Sequence, residues 1–533
     1  MRVGPEGIHH AITRLEPGGK LHLNKGRYRS PITISGKRGS QTEPIVIRGP
    51  KAKIGSDVDF DGYRVTANKL AAAHQKAGSF PGVYFVADDA ALVLKDCQWV
   101  IIEDLCFENC WPTAIYLDNC QHIFIRRVSF RGGTFAIGAA GPYTRHLLIE
   151  DCDWVQDVDS HGAADILSIR GKGHTRSDLS AADCTLWGKI PWKAVHGSRN
   201  EEGPVAVETD ARAYDGDFFR AWTIAGYVVI RNNIIADAFN GVHFFNQASA
   251  STKANFARNV VIEDNWFLRV RDNAIEPEDF AWNWTIRRNK FVDCYMPFSF
   301  EMQQSGHFYV YGNLGWNLHI PGPDGDTHAS GALFKLADHH QAGGPHYIFN
   351  NTWLLRGSIV KKKRISGFEH RNNLIGYAEN AEKFKWTSCS PLGNNWSAEK
   401  VPATELEDRL IFERGCFTRS WNWLGIVFDG DLIGHPDFPA ALRAAGYKIG
   451  FGAHSGIVKF TDETAGLPRG LRVPSPPAAQ PFSIQLPDES WTIFNPANYV
   501  VGALQDGGVV AMDDPAFLGV WPRPRTKTSK ANI

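Results

Sequence analysis

Short runs of alternating apolar and polar residues recur along the first three quarters of the chain, each closed by a polar turn. Six of them end in Asn with an apolar residue soon after: VVIRNNII (228–235), VVIEDNWF (260–267), WTIRRNKF (284–291), FYVYGNLG (308–315), HYIFNNTW (346–353) and FEHRNNLI (368–375). Their asparagines are Asn233, Asn265, Asn289, Asn313, Asn351 and Asn373, separated by 32, 24, 24, 38 and 22 residues. Three upstream runs, VIIEDLCF, IFIRRVSF and LLIEDCDW, keep the pattern without the Asn. Period-two alternation rich in Val, Ile, Phe and Trp specifies strands. A repeat near two dozen residues built from short strands and turns specifies a solenoid. Leucine-rich spacing and the i, i+3, i+4, i+7 pattern of helical repeats are both absent. The chain is therefore expected to be all-β, a single-stranded right-handed parallel β-helix with rungs about 4.8 Å apart. The repeated Asn is placed at a turn, where it tolerates left-handed geometry and bonds the next rung.

A further strand follows about ten residues after each run: TAIYLD (113–118), FAIGAA (135–140), GVHFFN (241–246), NAIEPE (273–278), MPFSFE (296–301), GALFKL (331–336) and GSIVKK (357–362). Aligned on their first residues, they send Ile115, Ile137, His243, Ile275, Phe298, Leu333 and Ile359 inward. The flanking positions then face out, including Phe244/Asn246, Glu276/Glu278, Ser299/Glu301 and Phe334/Leu336. His243, Lys335 and Lys361 fall in inward columns on this alignment, which makes His243 a core histidine.

The coil is assigned to residues 1–390, with insertions at 155–225 and 316–331 as groove walls. Residues 391–533 form an irregular Pro- and Gly-rich extension that caps the coil or folds back along it.

Composition excludes several alternatives. Hydrophobic residues at 43% and charged residues at 21% fit a folded chain. Lys+Arg and Asp+Glu both number 57, so there is no basic excess for nucleic acid or a membrane surface. No apolar run is long enough for a membrane span. The N-terminus carries no signal-peptide pattern, which fits a cytoplasmic protein or a mature secreted one. The nine cysteines have no disulfide or zinc spacing and are read as buried thiols.

Candidate chemistry gathers on the outward columns. Glu276 and Glu278 lie two apart on one side of a strand, and Glu301 follows in the column of Glu278. Stacked carboxylates require a cation, a raised pKa or a chemical use. Phe244 and Phe334 are expected to flank them as exposed rings, with Asp272 just before the strand and Lys335 nearby, as a sugar-binding groove would have. Glu301 is the candidate general acid and Glu278 or Glu276 the base of a glycoside hydrolase.

The opening GGKLHLNKGRYRSPITIS, the Asn repeat and the groove strand resemble the pectin-lyase-like superfamily of carbohydrate-active enzymes over roughly residues 10–380. Locally the chain is most similar to polysaccharide lyase family six, the alginate lyase and chondroitinase B group. That resemblance implies calcium held by Asn246, Glu276 and Glu278, an oxygen-only set that suits Ca²⁺. The family's base lysine would fall at Phe280 and its arginine near Glu301, so this chain lacks both. Four readings stay open: a glycoside hydrolase, a metal-dependent lyase or epimerase on a uronic-acid polymer, a non-catalytic glycan-binding coil, and a glycosyl-transferring enzyme of the fructotransferase kind. Each takes a poly- or oligosaccharide as partner, none needs an organic cofactor, and sugar identity and oligomeric state are not specified.

Overall fold

The computed structural model describes residues 1–29, 31–55, 90–156, 216–245, 257–270, 272–292, 294–316, 333–336, 345–355 and 373–377, with short strand segments elsewhere up to 509. The chain is a right-handed parallel β-helix. Each turn contributes three strands, as in Thr113–Asp118, Gln121–Arg126 and Ser129–Arg131, and the next turn repeats them at Phe135–Ala140, Arg145–Glu150 and Asp153–Val155. All rung-to-rung pairing between these strands is parallel. A short helix, Ile8–Thr13, covers the first turns with Ile8, Ala11 and Ile12 buried.

The core is a set of apolar columns running along the coil. One reads Leu92, Ile115, Ile137, Phe219, Val242, Ile275, Phe298, Phe334, each paired with the next. All eight are buried. Burying a side chain of this size removes it from water at a gain of about 1.5–3 kcal/mol, and like-on-like stacking lets one shape repeat without voids.

The Asn repeat forms a continuous buried ladder. Asn265 donates its backbone N–H and its Nδ2 to Oδ1 of Asn289 at 3.0 and 2.9 Å, and Nδ2 also reaches the Ile230 carbonyl. The same bonds run from Asn233 to Asn265, from Asn289 to Asn313, from Asn313 to Asn351 and from Asn351 to Asn373. The left-handed residue of this turn is not the ladder Asn but the one before it: Asn232, Asp264, Arg288, Gly312 and Asn350 all have φ between 48° and 65°. The amide is thus spared for bonding while its neighbour turns the chain.

A second column beside this turn alternates in charge. Arg48, Glu103, Arg126, Glu150, Arg231, Glu263 and Arg287 stand opposite one another on successive turns. Ion pairs join Arg126 to Glu103 at 2.7 Å, Arg231 to Glu150 at 2.5 Å and Arg287 to Glu263 at 2.8 Å. A cavity of about 570 Å³ opens here, lined by Glu150, Arg231, Glu263, Trp266, Arg288 and Lys290.

Two boundaries differ from the sequence-based expectation. Residues 217–222, inside the stretch assigned as an insertion, form a regular rung strand. Beyond residue 390, Ile426–Asp429 pairs in parallel with Phe368–Arg371 and adds another rung. Farther on, the hairpin Phe482–Gln485/Trp491–Phe494 lies against the coil, where Tyr309 donates to the Gln485 carbonyl at 2.6 Å and the Gln485 N–H donates to Tyr347 at 2.8 Å. Asn246 and residues 317–331 of the second insertion lie outside the described residues. The six described cysteines are free thiols, five of them buried.

Asn289→Ala removes the acceptor of the Asn265 N–H and of one Nδ2 hydrogen, and the donor to the Ile262 carbonyl, in a buried turn. The loss of stability should be about 2–4 kcal/mol, measured by chemical denaturation, against under about 0.5 kcal/mol for an exposed Asn.

Candidate active site

Five strands carry the groove: β1 (Asp217–Trp222), β2 (Asn240–Phe245), β3 (Asn273–Arg287), β4 (Met296–Tyr311) and β5 (Phe334–Leu336). Their pairing sets the columns. His243 stands opposite Arg220 on one side and Glu276 on the other, and Phe245 stands opposite Glu278. Glu278 pairs with Glu301. The same offset puts Ser299 opposite Glu276, and Ser299 pairs with Lys335. One outward column therefore reads Arg220, His243, Glu276, Ser299, Lys335.

Several expected placements change as a result. His243 faces outward among polar groups and is no core residue. Phe244 and Phe334 point into the coil and are fully buried, so neither is a groove ring. Phe244 packs on Phe219 and Trp284 with ring centroids 5.4 and 4.7 Å apart, and Phe334 stacks on Phe298 at 5.1 Å. Lys335 faces outward. Phe245, not Asn246, is opposite Glu278. The cause is a one-residue slip in each of three strands, GVHFFN, GALFKL and GSIVKK, where Val242, Phe334 and Val360 take the column expected for His243, Leu333 and Ile359, because period two sends every side chain to the other face. The slip is visible in hindsight: Asn240-Gly241-Val242 matches Asn273-Ala274-Ile275, and the Asn273 N–H donates to Asn240 Oδ1 at 2.9 Å. The pairing of Glu278 with Glu301 stands as expected, and Asp272 is buried just before β3.

The site is a compact cluster of opposite charges. Arg220 Nη1 donates to Asp217 Oδ2 at 3.1 Å and contacts His243 Nδ1. His243 Nδ1 is also 3.4 Å from Asp217 Oδ1 and 3.3 Å from Glu276 Oε2, while Nε2 is 3.2 Å from Glu278 Oε2. The ring's carboxylate contacts do not all have hydrogen-bond alignment: His243 Nε2, Glu276 Oε2 and Asp217 Oδ1 are buried without a hydrogen bond. His243 and Glu276 are each 2% exposed, while the side chains of Arg220 and Glu278 keep 12% and 22%. Arg220 lies over the rings of Trp222 and Phe245, 5.6 and 5.7 Å from their centroids. Such a contact adds a cation–π attraction that orients the guanidinium. Asp217 and Arg220 escaped the sequence reading because they lie in the presumed insertion; the DFFRAW alternation was the available signal.

Burial pushes the Glu276 carboxyl up to about 7, helped by Glu278 and Asp272 and opposed by His243 and Lys335. Burial would also raise Glu278, but His243, Arg220 and Lys335 together hold it at about 2. Burial and Arg220 lower His243, yet Glu276, Glu278 and Asp217 outweigh them and make the ring strongly basic, at about 10. A guanidinium can only donate, so a hydrogen bond from Arg220 to Nδ1 requires the ring proton to sit on Nε2. Arg220 lowers the basicity of the ring, so its withdrawal makes the ring a stronger base.

His243, Glu276 and Glu278 offer ligand atoms within 4.8 Å of one another. This is a mixed nitrogen and oxygen set with two carboxylates. Calcium takes six to eight oxygens, and the described residues do not supply that set.

No family model and no curated protein matches the chain. Among solved structures, an alginate lyase from Paenibacillus sp. str. FPU-7 is similar at 10% identity and a TM-score of 0.37, over 65% of this chain and 93% of that one. A pectate lyase is similar at 11% and 0.36, over 78% and 86%. The tailspike protein Dettilon is similar at 12% and 0.39, over 72% and 66%.

Glu278 has a folded pKa below its usual 4.5, so its stabilising contribution is present above pH 4.5 and lost as pH falls through about 2. The stability gap between wild type and Glu278→Gln should be about 3 kcal/mol near neutrality. It should narrow progressively below pH 4.5, as followed by denaturation at stepped pH.

Proposed function

We propose that this protein is a carbohydrate-active enzyme that cleaves a uronate-containing polysaccharide by β-elimination in the groove along β1 to β5. The observation that carries this reading is the Arg220–His243 contact, a cation and a base side by side on the groove column. Elimination needs a positive group on the uronate carboxylate, to acidify the adjacent carbon, and a base for the proton released. Hydrolysis by paired glutamates needs two carboxyl groups that reach the glycosidic bond. Glu276 is shut away behind the histidine, and Glu278 is turned onto the same ring. Those two side chains are placed to tune His243 rather than to grip a sugar.

In this scheme the substrate carboxylate draws Arg220 off His243, with Asp217 keeping the guanidinium in register. Nδ1, now uncovered between Asp217 and Glu276, takes the proton from the carbon beside the carboxylate. A carbon–carbon double bond forms, the bond to the glycosidic oxygen breaks, and the ring proton passes to that oxygen. His243 ends as it began. Lys335, three rungs beyond His243 in the same column, would hold a neighbouring acidic sugar.

Incubation with a panel of uronate polymers should give an unsaturated, ultraviolet-absorbing product. New reducing ends without that absorbance would sink the elimination. Arg220→Ala should lower kcat/KM about 10²–10³-fold, and Arg220→Lys should recover part of it. Retained activity in the Ala variant would remove Arg220 from the chemistry.

A further inference from the structure

Two glutamates on one side of a strand, with Asp217 one rung before His243, are too much negative charge for a buried wall. Something positive must lie among them. The two glutamates expected to recruit calcium are instead engaged from within. The His243 ring reaches between Glu276 and Glu278, one nitrogen at 3.3 Å from the first and the other at 3.2 Å from the second. It is the rung neighbour of Glu276 through backbone pairing, so its place is set by the coil and not by a mobile loop. Arg220 backs it from the preceding rung and is itself fixed by Asp217.

We infer that the place of a cation between Glu276 and Glu278 is filled by the His243 ring backed by Arg220, so that this centre takes no calcium. A calcium ion bridging the two carboxylates, with oxygens at about 2.3–2.6 Å, would have to expel the ring from the space it occupies. The ring also removes the oxygen donor that a rung neighbour would otherwise provide. The carboxylates then serve as counter-charges to side chains, and the protein carries its own cation into the groove. This holds whichever polymer is cleaved, because it concerns the cluster before any sugar arrives.

The full-length protein, stripped with chelator, is titrated with CaCl₂ by calorimetry, with thermal unfolding followed in parallel. Calcium should not bind to the wild type at one equivalent, and about 1 mM CaCl₂ should leave Tm unchanged. His243→Asn exchanges the ring for an amide oxygen beside two carboxylates. That variant should gain one-equivalent calcium binding and a Tm rise of about 2 °C or more in 1 mM CaCl₂. His243→Gln supplies the same donor if the shorter side chain does not fold. One-equivalent binding by the wild type that disappears in Glu276→Gln overturns the inference. So does a folded Asn or Gln variant that gains no calcium site.

Discussion

In-register stacking of one turn on the next is the constraint from which the rest of this molecule follows. The Asn ladder enforces it. Each amide oxygen accepts two bonds from the turn before, and each amide nitrogen also reaches a backbone carbonyl. A one-residue shift of any turn would break these bonds inside a dry corner, where an unpaired polar group costs about 1–3 kcal/mol. With the corner fixed, every strand leaving it has a fixed face. Arg220, His243 and Glu276 come from strands far apart in sequence and meet only because three corners are stacked.

The chemistry of the groove is an effect of that register. Glu276 and Glu278 would be ordinary surface carboxylates on an isolated strand. Set beside His243 and buried, one is driven toward neutrality and the other kept ionised. Paired carboxyl groups with diverging acidities are often divided between two catalytic roles. Here a histidine lies between them, so the pair acts on its basicity.

The fold was legible because it repeats: six Asn corners at similar spacing point to one solution, and strand alternation gives its class. The glutamate pair and its pairing with Glu301 were legible too, since NAIEPE and MPFSFE align without ambiguity. His243, Phe244 and Phe334 were misplaced, because GVHFFN and GALFKL accept two registers that differ by one residue. An apolar count cannot choose between Val242 and His243 as the inward residue when both have apolar neighbours. Arg220 and Asp217 were missed because the long segment before them hid a regular rung.

The alternating column from Arg48 to Arg287 has an implication for how such a coil can change length. Excising a single turn, for instance the one bearing Glu150, would bring Arg126 against Arg231, cation upon cation. Excising two adjacent turns would leave every junction attractive. Over this stretch the molecule obeys a parity rule: whole pairs of coils can be gained or lost in its descent, while odd changes are resisted by electrostatics at the joint.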